Sequence, residues 1–192
     1  TGGGLDDWAQ VTRSDMWLNG GGWVASCYHQ NDARMSPEFD RFLAEIGDLP
    51  LIWVVGEGQD RFHVLHGELV HPDYRKSRQK VWLNADIDSW LAGGKIDSLT
   101  QERLLWGRTL MMMLARPAWP PMQPGLSATY CGHTIDMSVR RYLSHVCLDT
   151  GAYRSIEEGG FGLTLHCVQD GRELRASYGS QEVVDVRELL SA

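Results

Sequence analysis

"ATYCGHTIDM", Ala128 to Met137, is a β-prone run that stops on a glycine and then a histidine. Ala128 to Cys131 has the small, branched and aromatic residues of a strand, and Gly132 ends it. His133 follows at once, then Thr134. A side chain placed there points beyond the end of the strand, where sheets that alternate with helices bind their ligands. "RFHVLHG" (61–67) ends in the same way, on His66 and Gly67. Neutral imidazole is the commonest metal ligand, so His66 and His133 are candidate metal ligands. On the residues alone, a lone histidine after a strand is more often a hydrogen-bonded structural residue, and that reading stays open at each place. Gly67 and Gly132 are expected to let the backbone approach whatever the imidazoles hold. His63 is expected to be a half-exposed strand residue, and His71, His145 and His166 to lie on strands or the surface. His29 falls in a polar loop.

Working outward, "LPLIWVVG" (49–56) and "RFHVLHG" read as two strands joined by the turn residues Glu57 to Asp60, a hairpin. Further strands are expected at 128–131, 145–148, 161–168 and 172–178, with Gly/Asp turns between them. Helices are expected at Asp6–Leu18, from Ser36–Pro37 to about Ile46, at Ala85–Leu91 and at Ser98–Met113. "PAWPPMQPG" (117–125) is too rich in proline for a helix or a central strand. Val183–Leu190 is compatible with strand or helix. Helices dominate the first part and strands the second, which predicts an α/β (α+β) domain whose sheet is built mainly by the second half. One domain over 1–192 is expected.

The chain has 192 residues, 43% of them hydrophobic, enough for a core of its own. Its formal net charge of -7 leaves no basic field for a phosphate backbone, so nucleic acid is not expected as a partner. The longest apolar run, "TLMMMLARPAW", is broken by Arg116 and Pro117, well short of the roughly 20 residues of a membrane span. Cys27, Cys131, Cys147 and Cys167 form no C-x-x-C pair, which speaks against a zinc knuckle or a redox motif. They read as small buried hydrophobes in a reducing compartment.

Six blocks in order carry a resemblance: "MWLNGGGWVASCY" (16–28), "LPLIWVV" (49–55), "RFHVLHGEL" (61–69), "LLWGR" (104–108), "YCGHTI" (130–135) and "VCLDTGA" (146–152). Together they resemble the calcineurin-like metallophosphoesterases, and most closely the bacterial and phage Ser/Thr protein phosphatases of the bacteriophage lambda type. The resemblance runs from about Asp15 to Val168. It implies part of a metallophosphoesterase ββ-sandwich flanked by helices, with the N-terminal strands absent. It also implies a cytoplasmic protein of a bacterium or a phage-infected cell. By the same resemblance, His66 and His133 bind one of two adjacent metal ions, usually manganese (Mn2+). Arg108 grips the substrate phosphate, for which a planar, permanently charged fork of donors is well suited. Asp149 matches a position that orients a metal-bound imidazole through its N–H, although capping the following turn explains it equally well. Glu68, close behind His66, is expected either to tune the metal site or to face solvent.

The family's early motifs, Asp-x-His-Gly, Gly-Asp-x-x-Asp-Arg-Gly and Gly-Asn-His-Glu, do not occur in the sequence. The nearest candidate, Gly47-Asp48 in "IGDLPL", precedes a strand in the wrong context. The resemblance therefore implies a C-terminal portion of a phosphatase, with Thr1 just downstream of the missing motifs. Two imidazoles make an underfilled site for a hard divalent ion. The chain alone is expected to be inactive towards a phosphoprotein or phosphopeptide substrate. The missing N-terminal half, another chain or self-association is expected to cover an apolar edge. The alternative expectation is a non-catalytic module derived from a phosphatase, such as a phage particle component or a regulatory subunit.

Overall fold

The computed structural model describes residues 28–29, 34–35, 37–47, 49–71, 82–112, 122–179 and 184–185. The expected helix at Asp6–Leu18, the Gly20–Gly22 turn and Cys27 lie outside these residues, as does most of Val183–Leu190. The chain divides into two compact units, Thr1–Pro50 and Leu51–Ala192. In the first, β1 (Tyr28–His29) pairs antiparallel with β2 (Arg34–Met35), and α1 spans Pro37–Gly47. Pro37 is tolerated at the start of α1 because an N–H there has no partner within the helix.

The second unit is built on a five-stranded mixed sheet. β3 (Trp53–Val55) and β4 (Phe62–Val64) form the expected antiparallel hairpin. β4 then pairs in parallel with β5 (Ala128–Cys131), and β5 in parallel with β7 (His145–Cys147). β6 (Arg140–Tyr142) pairs antiparallel with β7 and closes the order β3-β4-β5-β7-β6. Parallel neighbours need a long crossover. Between β4 and β5 the chain passes through α2 (Asn84–Leu91), α3 (Ser98–Trp106) and α4 (Thr109–Met112). A three-stranded antiparallel sheet, β8 (Leu163–His166), β9 (Glu173–Ala176) and β10 (Val184–Asp185), follows. It meets the first sheet where the Tyr130 hydroxyl lies 3.3 Å from His166 Nε2 and Arg141 pairs with Glu173.

Side-chain alternation sets the faces. Thr129 and Cys131 of β5, and His145 and Cys147 of β7, are buried, while Ala128, Tyr130 and Val146 are half-buried. The buried face packs with Ile87 of α2, Leu104 of α3 and Leu110 of α4, all 2% exposed or less. The opposite face is left open at its β3–β4 end, where Trp53, Val55 and Val64 are exposed.

Two departures from the sequence reading have physical causes. The expected helix Ser98–Met113 breaks at Gly107, whose ψ of 134° is extended. Glycine loses most by being fixed in a helix, and a competing acceptor captures the amides of Thr109 and Leu110 (below). β6 was not expected because its turn to β7 has no glycine. Leu143 and Ser144 take φ of 48° and 67°, the left-handed pair of a tight hairpin turn. Leu143 is buried in the core, and the Ser144 hydroxyl donates to the Leu126 carbonyl at 2.9 Å and accepts the Gln123 N–H at 2.9 Å. Those contacts offset the strain that Gly would have avoided.

Candidate active site

β4 and β5 run side by side in parallel, so their carboxyl ends lie together. The ladder continues past both strands: Leu65 N–H donates to the Tyr130 carbonyl at 3.1 Å, and Gly132 N–H to the His66 carbonyl at 2.9 Å. This brings His66 and His133 face to face, with His66 Nε2 3.1 Å from His133 Nδ1 and the ring centroids 4.8 Å apart. His133 has a φ of 64°, uncommon for a residue with a side chain. Such backbone strain is concentrated at functional sites.

One nitrogen of the facing pair carries the proton that the other accepts. His133 Nε2 is buried and has no hydrogen-bond partner of good geometry. Burial lowers the His133 pKa, and the neighbouring Arg108 guanidinium and His66 lower it further; Asp149 and the Trp106 carbonyl oppose them. His133 is thus held in the neutral form that ligates metals.

Arg108 joins the same site. Its Nη1 donates to the His133 carbonyl at 2.8 Å. Trp106, 55% exposed, stands edge-on to the His133 ring at 5.3 Å. The break at Gly107 is what turns Arg108 out of the helix and toward His133. Asp149 lies within electrostatic reach of His133, but its Oδ1 accepts the Gly151 N–H at 3.1 Å. Between the two readings of Asp149, the turn cap is the one with a hydrogen bond.

Three expectations change. Glu68 neither faces solvent nor reaches the imidazoles: it is 1% exposed, and its two oxygens accept the N–H groups of Thr109 and Leu110, each at 2.7 Å. Gly67 serves packing against α3 rather than approach to a ligand. Its N–H donates to the Leu104 carbonyl at 2.6 Å, and an added Cβ would sit 2.7 Å from the Arg103 carbonyl oxygen. Gly132, by contrast, has room for a Cβ at ordinary contact distance. His63 is fully buried, facing Thr129 across the β4–β5 pair. Sequence reasoning missed Trp106 as a neighbour of the site, and it weighed Glu68 without foreseeing its bonds to the amides of Thr109 and Leu110. The only signal for either was its closeness in sequence to His66 or Arg108.

As it stands the His66–His133 contact is a hydrogen bond, so these two nitrogens would serve one metal ion only once that bond is given up. They do not fit a dinuclear centre. Among the described residues, no group of three or more His, Cys, Asp or Glu is placed to hold a metal. No helix among them is long and apolar enough to cross a membrane. In comparisons with known proteins, no family model matches this chain and no curated protein matches it.

Proposed function

We propose that this chain supplies the phosphate grip and two metal ligands of a metal-dependent phosphomonoesterase, a Ser/Thr phosphoprotein phosphatase of the calcineurin-like kind. The observation that carries the reading is the convergence of His66, His133 and Arg108, which come from three separate segments, at one end of the parallel strand pair. Arg108 would bind and orient the phosphoryl group through its planar fork, with the imidazoles beside it offering lone pairs to a divalent ion such as manganese. Such an ion, when bound, supplies charge neutralisation at the phosphate and an acidified water. The imidazoles of His66 and His133 leave most of that ion's sphere to ligands from a longer protein or a partner chain. The chain by itself is then inactive.

The open β3–β4 face favours the same need for a covering segment. Trp53 and Val55 of the edge strand β3, and Val64 of its neighbour β4, are 57%, 39% and 41% exposed. Sheet edges of that kind are covered in stable proteins. That face also supports a second reading, a non-catalytic interaction module in which the site is vestigial. The two are separated by assaying manganese-dependent hydrolysis of a phosphoserine peptide by a polypeptide or complex that carries both this chain and the three absent motifs. Activity that disappears in His66→Ala, His133→Ala and Arg108→Ala supports the enzyme. Activity that survives all three, or never arises, leaves the interaction module.

A further inference from the structure

Glu68 is the most deeply buried acid of the described residues, and its environment is built around it. Its carboxylate takes the first two N–H groups of α4, those of Thr109 and Leu110, at 2.7 Å each. Arg103 Nη1, from α3, lies 3.5 Å from its Oε1 and also donates to the Thr109 hydroxyl. The Glu68 N–H donates to the Arg103 carbonyl at 3.1 Å. Gly107 leaves the space for the side chain, since a Cβ there would sit 2.3 Å from Glu68 Cγ. A carboxylate on two backbone amides, with a guanidinium beside it, is a strong and directional clasp.

The residue enclosed by this clasp is Arg108. On one side of it Gly107 N–H is tied to the Arg103 carbonyl at 2.9 Å, and on the other Thr109 N–H is tied to Glu68. Its backbone is therefore fixed on both sides, and the guanidinium needs only its bond to the His133 carbonyl to complete its placement. Glu68 is also two residues beyond His66 on the same segment.

We propose that Glu68 is the positioning residue of Arg108, the group that locks the phosphate grip in register with the histidine pair; this rests on the phosphatase reading above. Glu68 itself touches no substrate. It ends the helix at Gly107 by taking the amides of Thr109 and Leu110, and so presents Arg108 to the site instead of to solvent. Preorganised charge of this kind acts without reorganising when the substrate arrives.

The test is 15N NMR of the 192-residue chain, wild type and Glu68→Gln. In the wild type the Arg108 Nε–H signal is expected to be ordered. In Glu68→Gln it is expected to average with those of free arginines while the amide signals of β6 and β7 stay in place. Inorganic phosphate titrated into both is expected to bind the variant about tenfold more weakly, the low end of what loss of an orienting partner does. A merely structural Glu68 would lower stability and leave the Arg108 signal of the folded variant unchanged, which overturns the proposal. Should Glu68→Gln not fold, amide exchange in the wild type decides. Thr109 and Leu110 amides protected like those of β5 support the clasp, and exchange at unprotected rates overturns it. Arg108→Ala separates the two readings: if it leaves phosphate binding unchanged while Glu68→Gln still frees Arg108, the phosphate role falls and the positioning role stands.

Discussion

Acid will destabilise this protein well above the pH at which its carboxylates protonate. His145 is buried on the helix-covered face of the sheet, where its Nε2 accepts the Leu69 N–H at 3.0 Å. The proton therefore sits on Nδ1, which donates to the Leu143 carbonyl at 2.9 Å. Both nitrogens are satisfied in the neutral form, and a second proton would face an N–H. Burial lowers the His145 pKa from 6.5 to about 4 against the pull of the Leu143 and Tyr142 carbonyls. His63 repeats the arrangement, with Nε2 accepting from Arg61 Nε at 3.2 Å and Nδ1 facing the Thr129 hydroxyl at 3.2 Å. Its pKa is likewise lowered to about 4, by burial first and then by Arg61. Between 6.5 and about 4 the unfolded chain binds protons that the folded chain refuses, so stability is full above pH 6.5 and falls as the pH drops toward 4. The gap corresponds to ~3 kcal/mol per histidine, a large part of the 5–15 kcal/mol typical of a domain. Asp88, Asp97 and Asp136 have their pKa values lowered from 3.8, so their losses begin below this window. The assay is urea unfolding, followed by tryptophan fluorescence, at several pH values inside the window. His145→Gln should reduce the slope of stability against pH by up to ~1.4 kcal/mol per pH unit. An unchanged slope, or a folded-state His145 that titrates by NMR near 6.5, would refute the reasoning.

Three further outcomes follow from the packing and the hydrogen bonds. Gly67→Ala should destabilise the chain by about 2 kcal/mol or more, because the new methyl meets the carbonyls of Arg103 and Leu104 at 2.7 Å and 2.9 Å; thermal unfolding reads this, and a Tm unchanged from wild type would mean that α3 yields freely. Asp97→Ala should lose about 1 kcal/mol, since Asp97 Oδ1 caps α3 by accepting the Thr100 N–H at 3.0 Å. The same substitution made on Asn84→Ala should also lower the denaturation midpoint, because the Asn84 side chain bridges Ser127 on both of its polar atoms.

What could be read in the sequence was whatever depends on local pattern. The β3–β4 hairpin, β5, β7, β8, β9 and helices α1 and α2 fall where periodicity and turn residues put them. Local pattern placed His66 and His133 each at a strand end, but only the family resemblance brought the two together, because their meeting depends on the non-local pairing of β4 with β5. The misses share a cause, which is a long-range contact overriding local propensity. "LTQERLLWGRTLMMM" is a good helical pattern, and nothing local warns that Glu68, some forty residues earlier, claims the amides of Thr109 and Leu110. "RYLSHV" carries no hairpin signal, since Leu143 and Ser144 are held in their left-handed turn by the core and by Gln123 and Leu126. His63 was misjudged because a polar residue in a strand suggests exposure, whereas Arg61, His63, Thr129 and Ser127 form a chain of donors and acceptors that makes burial tolerable.

The parallel pairing of β4 with β5 has a kinetic consequence. Each histidine belongs to a segment that closes cheaply on its own, His66 beyond the β3–β4 hairpin and His133 beside the β6–β7 hairpin. The two rings are nonetheless 67 residues apart along the chain, and they meet only when the crossover closes. Loop closure over that span opposes pairing by roughly 4 kcal/mol, before any contact rewards it. Non-local pairings of this kind slow folding. The site should therefore appear late, after both hairpins, and the return of the His66–His133 contact in a refolding experiment would time the last committed step of the fold.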